Sequence, residues 1–345
     1  TAVPGLSGHE SQIRAHLSEL WAPLTDELRT SPLGSLHGLK AGSGKEPRPS
    51  LLIATHMDAI GLMVSAIEDG LLRVVSIGGI DNRILPGQTV TVHAQSSDLP
   101  GLVILPPEHT LPDDQKSKTV DLEYLFVDTG LLPAEVKRKV QIGDLVTFSL
   151  ELLDLGDGYL SGPAMDNRAS VAVLTETLQI LQTRKHQWDV WAVATVQEEI
   201  GLNGAATSGF DLRPTLGVVI DVTFGAAPGS PGHETVDMDK GPSFDIGPST
   251  HPKLYQQFID YAEKMEIPYN RYAYPRGSGT DADKLQISAE GVITMVVSIP
   301  IRYMHTPVEV VQLRDIQRAA RLVAGFIEQL GEDTLETLRL DEEAS

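Results

Sequence analysis

Ser50-Leu51-Leu52-Ile53-Ala54-Thr55 runs straight into His56-Met57-Asp58, and this junction decides how the rest of the chain is read. A short apolar run without polar alternation has the form of a strand buried on both faces, as in parallel sheets covered by helices. A histidine and an aspartate at its carboxyl end stand where open α/β sheets gather their active sites.

The same pattern recurs downstream. Residues 188–196 form an apolar run leading into Gln197-Glu198-Glu199, residues 215–220 end on Asp221, and residues 291–299 lead shortly to His305. Helical periods separate them, over 169–181, 252–265 and 313–330, the last with Gly331 in the position of a C-cap. At the start, Ser7 and Glu10 read as a capping box ahead of Ile13, Leu17, Leu20 and Trp21 at helical spacing. Alternation of this kind predicts an α/β fold with a mostly parallel central sheet flanked by helices.

Between about Asp69 and Leu160 the texture changes. Short β-prone runs such as Leu71-Leu72-Arg73-Val74-Val75 and Gln88-Thr89-Val90-Thr91-Val92 alternate with Gly, Pro and Asp turns. Residues 106–118 are polar with three prolines and read as a loop. The expected organisation is one α/β domain from residues 1–66 and 161–345, with a small β-rich domain inserted over 67–160.

Composition narrows the chemistry. There is no cysteine among the 345 residues, which removes disulfides, thiol nucleophiles and thiolate metal sites together. A net charge of −20 provides no basic excess to displace counterions from nucleic acid. No apolar run approaches the roughly 18 residues that a spanning helix needs, so no membrane partner is expected. The first ten residues lack the regions of a signal peptide, which makes the cytoplasm the expected location. The acidic end, Gly331-Glu332-Asp333 through Glu342-Glu343-Ala344-Ser345, reads as a solvated tail.

His56, Asp221, Glu199 and His305, joined by Asp166 in Gly162-Pro163-Ala164-Met165-Asp166-Asn167-Arg168, make two imidazoles and three carboxylates. Such ligands suit Zn²⁺, Co²⁺ or Mn²⁺. Five of them around a single ion would leave no open position, whereas two ions sharing one carboxylate would serve a hydrolysis. Each has a bland alternative: an aspartate at a strand end is commonly a helix cap, paired glutamates are usually solvated, and the other eight histidines are read that way. Repetition at successive strand ends favours a metal hydrolase.

These segments resemble the TET-type aminopeptidases, the glutamyl aminopeptidase and endoglucanase-like group of metallopeptidase family forty-two. The resemblance spans nearly the whole chain, from Pro4-Gly5-Leu6-Ser7-Gly8-His9-Glu10 and Thr55-His56-Met57-Asp58-Ala59-Ile60-Gly61 to Gly279-Thr280-Asp281-Ala282 and Arg302-Tyr303-Met304-His305-Thr306-Pro307-Val308-Glu309. It implies a zinc-aminopeptidase-like fold whose insert is a PDZ-like dimerisation module, and self-association into dimers and tetrahedral dodecamers. It implies two divalent metal ions per subunit, zinc or cobalt first and manganese next, acting on short peptide substrates. By resemblance Asp166 bridges the ions, His56 and Asp221 complete one site, and Glu199 with His305 completes the other. Glu198 is then the general base toward a metal-bridging water, and Asp58 orients the His56 imidazole. A cis peptide at Asp166-Asn167 is also implied.

Two other functions fit the sequence less well. An endoglucanase needs two free carboxyls flanking a sugar bond, and an aromatic content of 5% leaves little for sugar stacking. A non-catalytic assembly protein would keep metals for structure, yet Glu198 adds nothing to a structural site. For the substrate pocket the sequence offers the loop containing Gly279, Thr280 and Asp281. Arg276 or Lys284 nearby would favour an acidic side chain if either faced the pocket, although surface solvation is the ordinary role of both.

Overall fold

The computed structural model describes residues 2–116 and 118–340; Thr1 and residues 341–345 of the acidic tail lie outside them. The chain opens with α1 (Ser11–Trp21), β1 (Glu27–Thr30), β2 (Leu36–Lys40) and β3 (Ser50–His56). Next come β4 (Gly61–Glu68), β5 (Leu71–Ile77), β6 (Thr89–His93), β7 (Asp98–Ile104), β8 (Phe126–Asp128), α2 (Pro133–Lys139) and β9 (Leu145–Phe148). Then follow β10 (Leu153–Gly156), β11 (Tyr159–Gly162), α3 (Met165–Leu181), β12 (Asp189–Thr195), α4 (Asn203–Leu212) and β13 (Leu216–Phe224). The last third holds β14 (Ser243–Ile246), α5 (Pro252–Lys264), β15 (Asn270–Ala273), α6 (Ala282–Leu285), β16 (Ile293–Arg302), β17 (Glu309–Gln312), α7 (Leu313–Gln329) and α8 (Thr334–Thr337).

Eleven strands make the main sheet, ordered β1-β2-β12-β3-β13-β16-β17-β11-β10, with β14 also on β16 and β15 on β14. The expectation of a mostly parallel sheet needs correction, because this sheet is mixed. Only β12, β3, β13 and β16 form a continuous parallel run, and β14 with β15 adds one more parallel pair. The outer pairs β1/β2, β2/β12, β16/β17, β17/β11 and β11/β10 are antiparallel. For β1/β2, β10/β11 and β16/β17 the reason is connection length: strands joined by a few residues can return only antiparallel. The apolar runs report only the strands that helices cover on both faces.

Those four central strands separate two apolar layers. Leu51, Ile53, Val218, Ile220, Met295 and Val297 join the larger core with α1, α3, α5 and α7. The alternate residues Leu52, Ala54, Val193, Val219 and Val296 pack with Ala282 and Leu285 of α6 in a smaller core. His56, Asp221 and Ser298 share the parity of this second set, so the period-two alternation of a strand places them on the α6 face.

Strands β4-β5-β8-β7-β6-β9 close into a separate barrel, filled by Leu62, Val64, Leu72, Val90, Val103, Val127 and Val136 of α2. The barrel strands run from Gly61 to Phe148, whereas β10 and β11 pair into the main sheet. Hydrogen-bonded pairing thus divides the chain slightly earlier than the change of texture near 67 and 160. Among the described residues no helix is long and apolar enough to cross a membrane.

Two expected caps are absent. Helix α1 begins only at Ser11, and the Glu10 side chain makes no cap bond to it; instead it accepts from Gly8 N–H at 2.6 Å and Gln197 N–H at 3.2 Å. Ser7 donates to Asp58 Oδ2 at 2.6 Å. At the far end, α7 is capped by Leu330 in extended backbone, and Gly331 N–H donates to Thr334 Oγ1 at 2.9 Å. At the first place tertiary partners outcompete the local motif; at the second a different local turn, closed by Thr334, replaces it.

Candidate metal centre

Because β12, β3, β13 and β16 are neighbours, their carboxyl ends lie side by side. His56 is the last residue of β3, Glu198 and Glu199 follow β12, and His305 follows β16. Asp221 lies within β13, which continues three residues beyond it to Phe224. Asp166 arrives from the opposite direction, at the head of α3, where it and Asn167 have non-helical backbone and are joined by a cis peptide. Five non-glycine residues around this point are left-handed: Ala164, Gln197, Leu202, Tyr303 and His305, with φ between 57° and 62°. Such conformations cost about 1–3 kcal/mol each and concentrate at functional sites.

The side chains converge on one cavity of about 540 Å³. His56 Nε2 is 3.1 Å from Asp166 Oδ1, 3.7 Å from Asp221 Oδ1 and 3.9 Å from Glu198 Oε2. His305 Nε2 is 3.4 Å from the other Asp166 oxygen and 3.4 Å from Glu199 Oε2. One oxygen of Asp166 therefore faces each imidazole. His56 Nδ1 lies 3.1 Å from the Asp58 carbonyl oxygen, which can only accept, so Nδ1 carries a proton and Nε2 faces the cluster.

Asp58 does more than hold that ring. Its carboxylate accepts the backbone N–H groups of Glu198 at 3.1 Å and Glu199 at 3.3 Å, besides the Ser7 hydroxyl. It thereby fixes the turn that carries both glutamates. Glu309, 1% exposed within β17, performs the matching task opposite. Its two oxygens accept Asp166 N–H at 3.0 Å and His305 N–H at 2.9 Å. The sequence gives Glu309 no role by itself; its signal is an acid between Val308 and Val310-Val311, at the head of an apolar strand.

Electrostatically the cluster is overloaded with carboxylates. Burial pushes Glu198 up to about 10 and Glu199 up to about 7, and it raises Asp221 and Glu309 well above the usual range. Against burial, hydrogen bonds from His305 and His56 hold Asp166 low. The Asp166 contact raises His305 to about 9. His56 is raised well above an ordinary histidine: burial opposes its charge, but Glu198, Asp166, Asp58 and Asp221 outweigh it.

In each of two sets, His56 with Asp166 and Glu199 and His56 with Glu198 and Asp221, the three ligand atoms lie within 4.8 Å of one another. Glu199 Oε1 is buried without a hydrogen-bond partner. Nitrogen and oxygen donors, excess buried negative charge and an unused carboxylate oxygen together fit divalent cations.

Of the residues expected to line a substrate pocket, Gly279 and Thr280 lie on the cavity wall. Asp281 lies behind it, 1% exposed, accepting from Thr195 Oγ1 at 2.5 Å. Arg276 and Lys284 are exposed and off the wall. The barrel also reaches the centre: a Cβ on Gly79 would stand 3.2 Å from His305 Nδ1, and one on Gly78 3.4 Å from Glu199 Cβ.

Comparisons with known proteins place the chain among aminopeptidases. The lysyl aminopeptidase of Pyrococcus furiosus is 36% identical over 332 residues, covering 95% of this chain and 94% of that protein. The TET aminopeptidase of a marine-sediment archaeon (Thaumarchaeota) superposes with a TM-score of 0.92 at 30% identity, covering 98% and 96% of the two chains. The TET1 peptidase of Pyrococcus horikoshii, which assembles into a tetrahedron or a large octahedral shell, superposes with a TM-score of 0.83 at 28% identity over 96% and 97%. Residues 34–322 match the family model described as M42 glutamyl aminopeptidase, and the chain belongs to that family of peptide-hydrolysing enzymes.

Proposed function

We propose that the protein is a dinuclear-metal aminopeptidase that removes the N-terminal residue from short peptides. The observation that carries this reading is the Asp166 carboxylate between two imidazoles, one oxygen to each. Asp166, His56 and Asp221 would hold one divalent cation, and Asp166, Glu199 and His305 a second. Bound cations of this kind polarise a scissile carbonyl and lower the pKa of water.

The chain's own residues supply the rest. Glu198 lines the cavity; once bound cations offset the burial that raises its proton affinity, it acts as general base, taking a proton from the attacking water on its carboxylate and passing it to the departing amine nitrogen. Asp58 holds the Glu198 and Glu199 amides so that both carboxylates keep their directions. Glu309 keeps Asp166 and His305 in register. No side-chain nucleophile is required.

The reading extends to assembly. Residues near 61–148 form an inserted PDZ-like module that mediates dimers, and dimers build a tetrahedral dodecamer. Leu132 and Ile142, 70% and 71% exposed on either side of α2, support an apolar contact there, as does the tetrahedron of the Pyrococcus horikoshii relative. Light scattering of the purified protein measures the mass expected for twelve chains.

The decisive experiment compares an unmodified tripeptide with its N-acetylated form, using protein loaded in turn with Zn²⁺, Co²⁺ and Mn²⁺. Chromatography should find the first residue released from the free peptide only, and a chelator should abolish release. Equal cleavage of the blocked peptide, or activity that survives chelation, overturns the proposal.

A further inference from the structure

Beyond the metal centre, the same cavity contains one more carboxylate. Asp245 lines it from β14 and is 5% exposed. Its Oδ1 accepts from Ser243 Oγ at 2.6 Å and its Oδ2 from Ser298 Oγ at 2.5 Å, both neutral donors. No lysine or arginine lines the cavity among the described residues. A buried carboxylate without a counter-ion is costly, and burial pushes this one up to about 6. The core gains nothing from a charge here that an asparagine would not provide.

Register places Asp245 in relation to the centre. Asp221 pairs with Ser298, and Ser298 pairs with Ser243, two residues before Asp245 on the same face. Two strand spacings, about 10 Å, thus separate Asp221 from the Asp245 region across the floor of the cavity. That is the reach of a long side chain whose α-carbon stands at the metal centre. Tyr272, the cross-strand partner of Asp245, and Tyr274 also line the cavity, and they offer aromatic surface to an aliphatic stem.

We infer that Asp245 is a specificity-determining residue: it pairs with the cationic end of the substrate's N-terminal side chain, so the protein selects peptides that begin with lysine or arginine. This rests on the aminopeptidase reading above and deepens it. An acidic first residue is disfavoured, because its carboxylate would face Asp245 with no cation to receive it.

The test uses metal-loaded protein and the 4-nitroanilides of lysine, arginine, norleucine and glutamate. Norleucine copies the lysine stem without its charge. The wild-type kcat/KM should favour lysine over norleucine by about tenfold or more, and Asp245→Asn should reduce that ratio by roughly 30-fold. The wild-type ratio decides even if the variant fails to fold. A ratio near one, or a ratio that Asp245→Asn leaves unchanged, overturns the assignment while leaving aminopeptidase activity intact. Cleavage of none of the four anilides, with unmodified peptides also uncut, overturns the function and this inference together.

Discussion

Two walls of one cavity use buried carboxylates in opposite ways. Around His56 and His305, four acids crowd against two imidazoles, and their backbones are tied down by two further carboxylates, Asp58 and Glu309. Around Asp245, a single acid is held by two serine hydroxyls and meets no cation. The first wall has the excess of negative charge that suits metal ions; the second has the one negative charge that suits a substrate. Burial raises proton affinity on both walls, so what separates them is the number and rigidity of neighbours.

That contrast can be broken at four points. The largest effect is expected from Glu198→Gln, which keeps the shape and removes the base. The value of kcat should fall roughly 10³-fold while metal content, read by atomic absorption, stays at the wild-type level. Retained activity would remove Glu198 from the chemistry.

Asp245→Asn tests the other wall through stability. The folded carboxyl is raised to about 6 from an ordinary 3.8, so it is the neutral form that folding favours. Its contribution is fully present below pH 3.8 and is lost as pH rises through about 6. Unfolding free energies at pH 4 and pH 7 should therefore shift in favour of the variant by on the order of 2–3 kcal/mol over that interval. A pH-independent difference between wild type and variant would mean that Asp245 has an ordinary proton affinity.

Glu309→Gln sharpens the comparison by loosening the first wall without touching the second. One oxygen still accepts, but the other is replaced by an amide nitrogen that cannot accept from the second backbone N–H. We expect metal affinity, measured by competition with a chelator, to fall about tenfold, with the lysine-to-norleucine ratio unaltered. Ser7→Ala should be mildest, removing one of several donors to Asp58. A loss of about 1 kcal/mol in thermal unfolding, with unchanged selectivity, is the expected result.

Much of the first wall was legible in the sequence. His56, Glu198, Glu199 and Asp221 each stand at or near the end of an apolar run, and Asp166 and His305 lie in flanking motifs. Strand alternation and buried runs are local properties, so they survive in a one-dimensional reading. Asp245 was not legible. It follows Ser243-Phe244 in a four-residue strand after a Gly-Pro turn, a context shared by many surface acids. Its meaning comes from Ser298, 53 positions away. The α1 cap failed for a related reason: Ser7 and Glu10 satisfy a helix signal locally, yet Ser7 donates to Asp58 and Glu10 accepts from Gly8 and Gln197.

The sequence by itself determined the covered strands, the inserted β-rich unit and the identity of the acids and imidazoles, because hydrophobic periodicity and residue chemistry are written along the chain. Tertiary structure decided the order β12-β3-β13-β16 that brings four strand ends together, the antiparallel wings of the sheet, and the hydrogen-bond partners of Asp58, Glu309 and Asp245. Those depend on hydrogen bonds between residues 50 to 190 positions apart. No local pattern encodes which distant amide or hydroxyl a buried carboxylate will find, and only the packed sheet makes that choice.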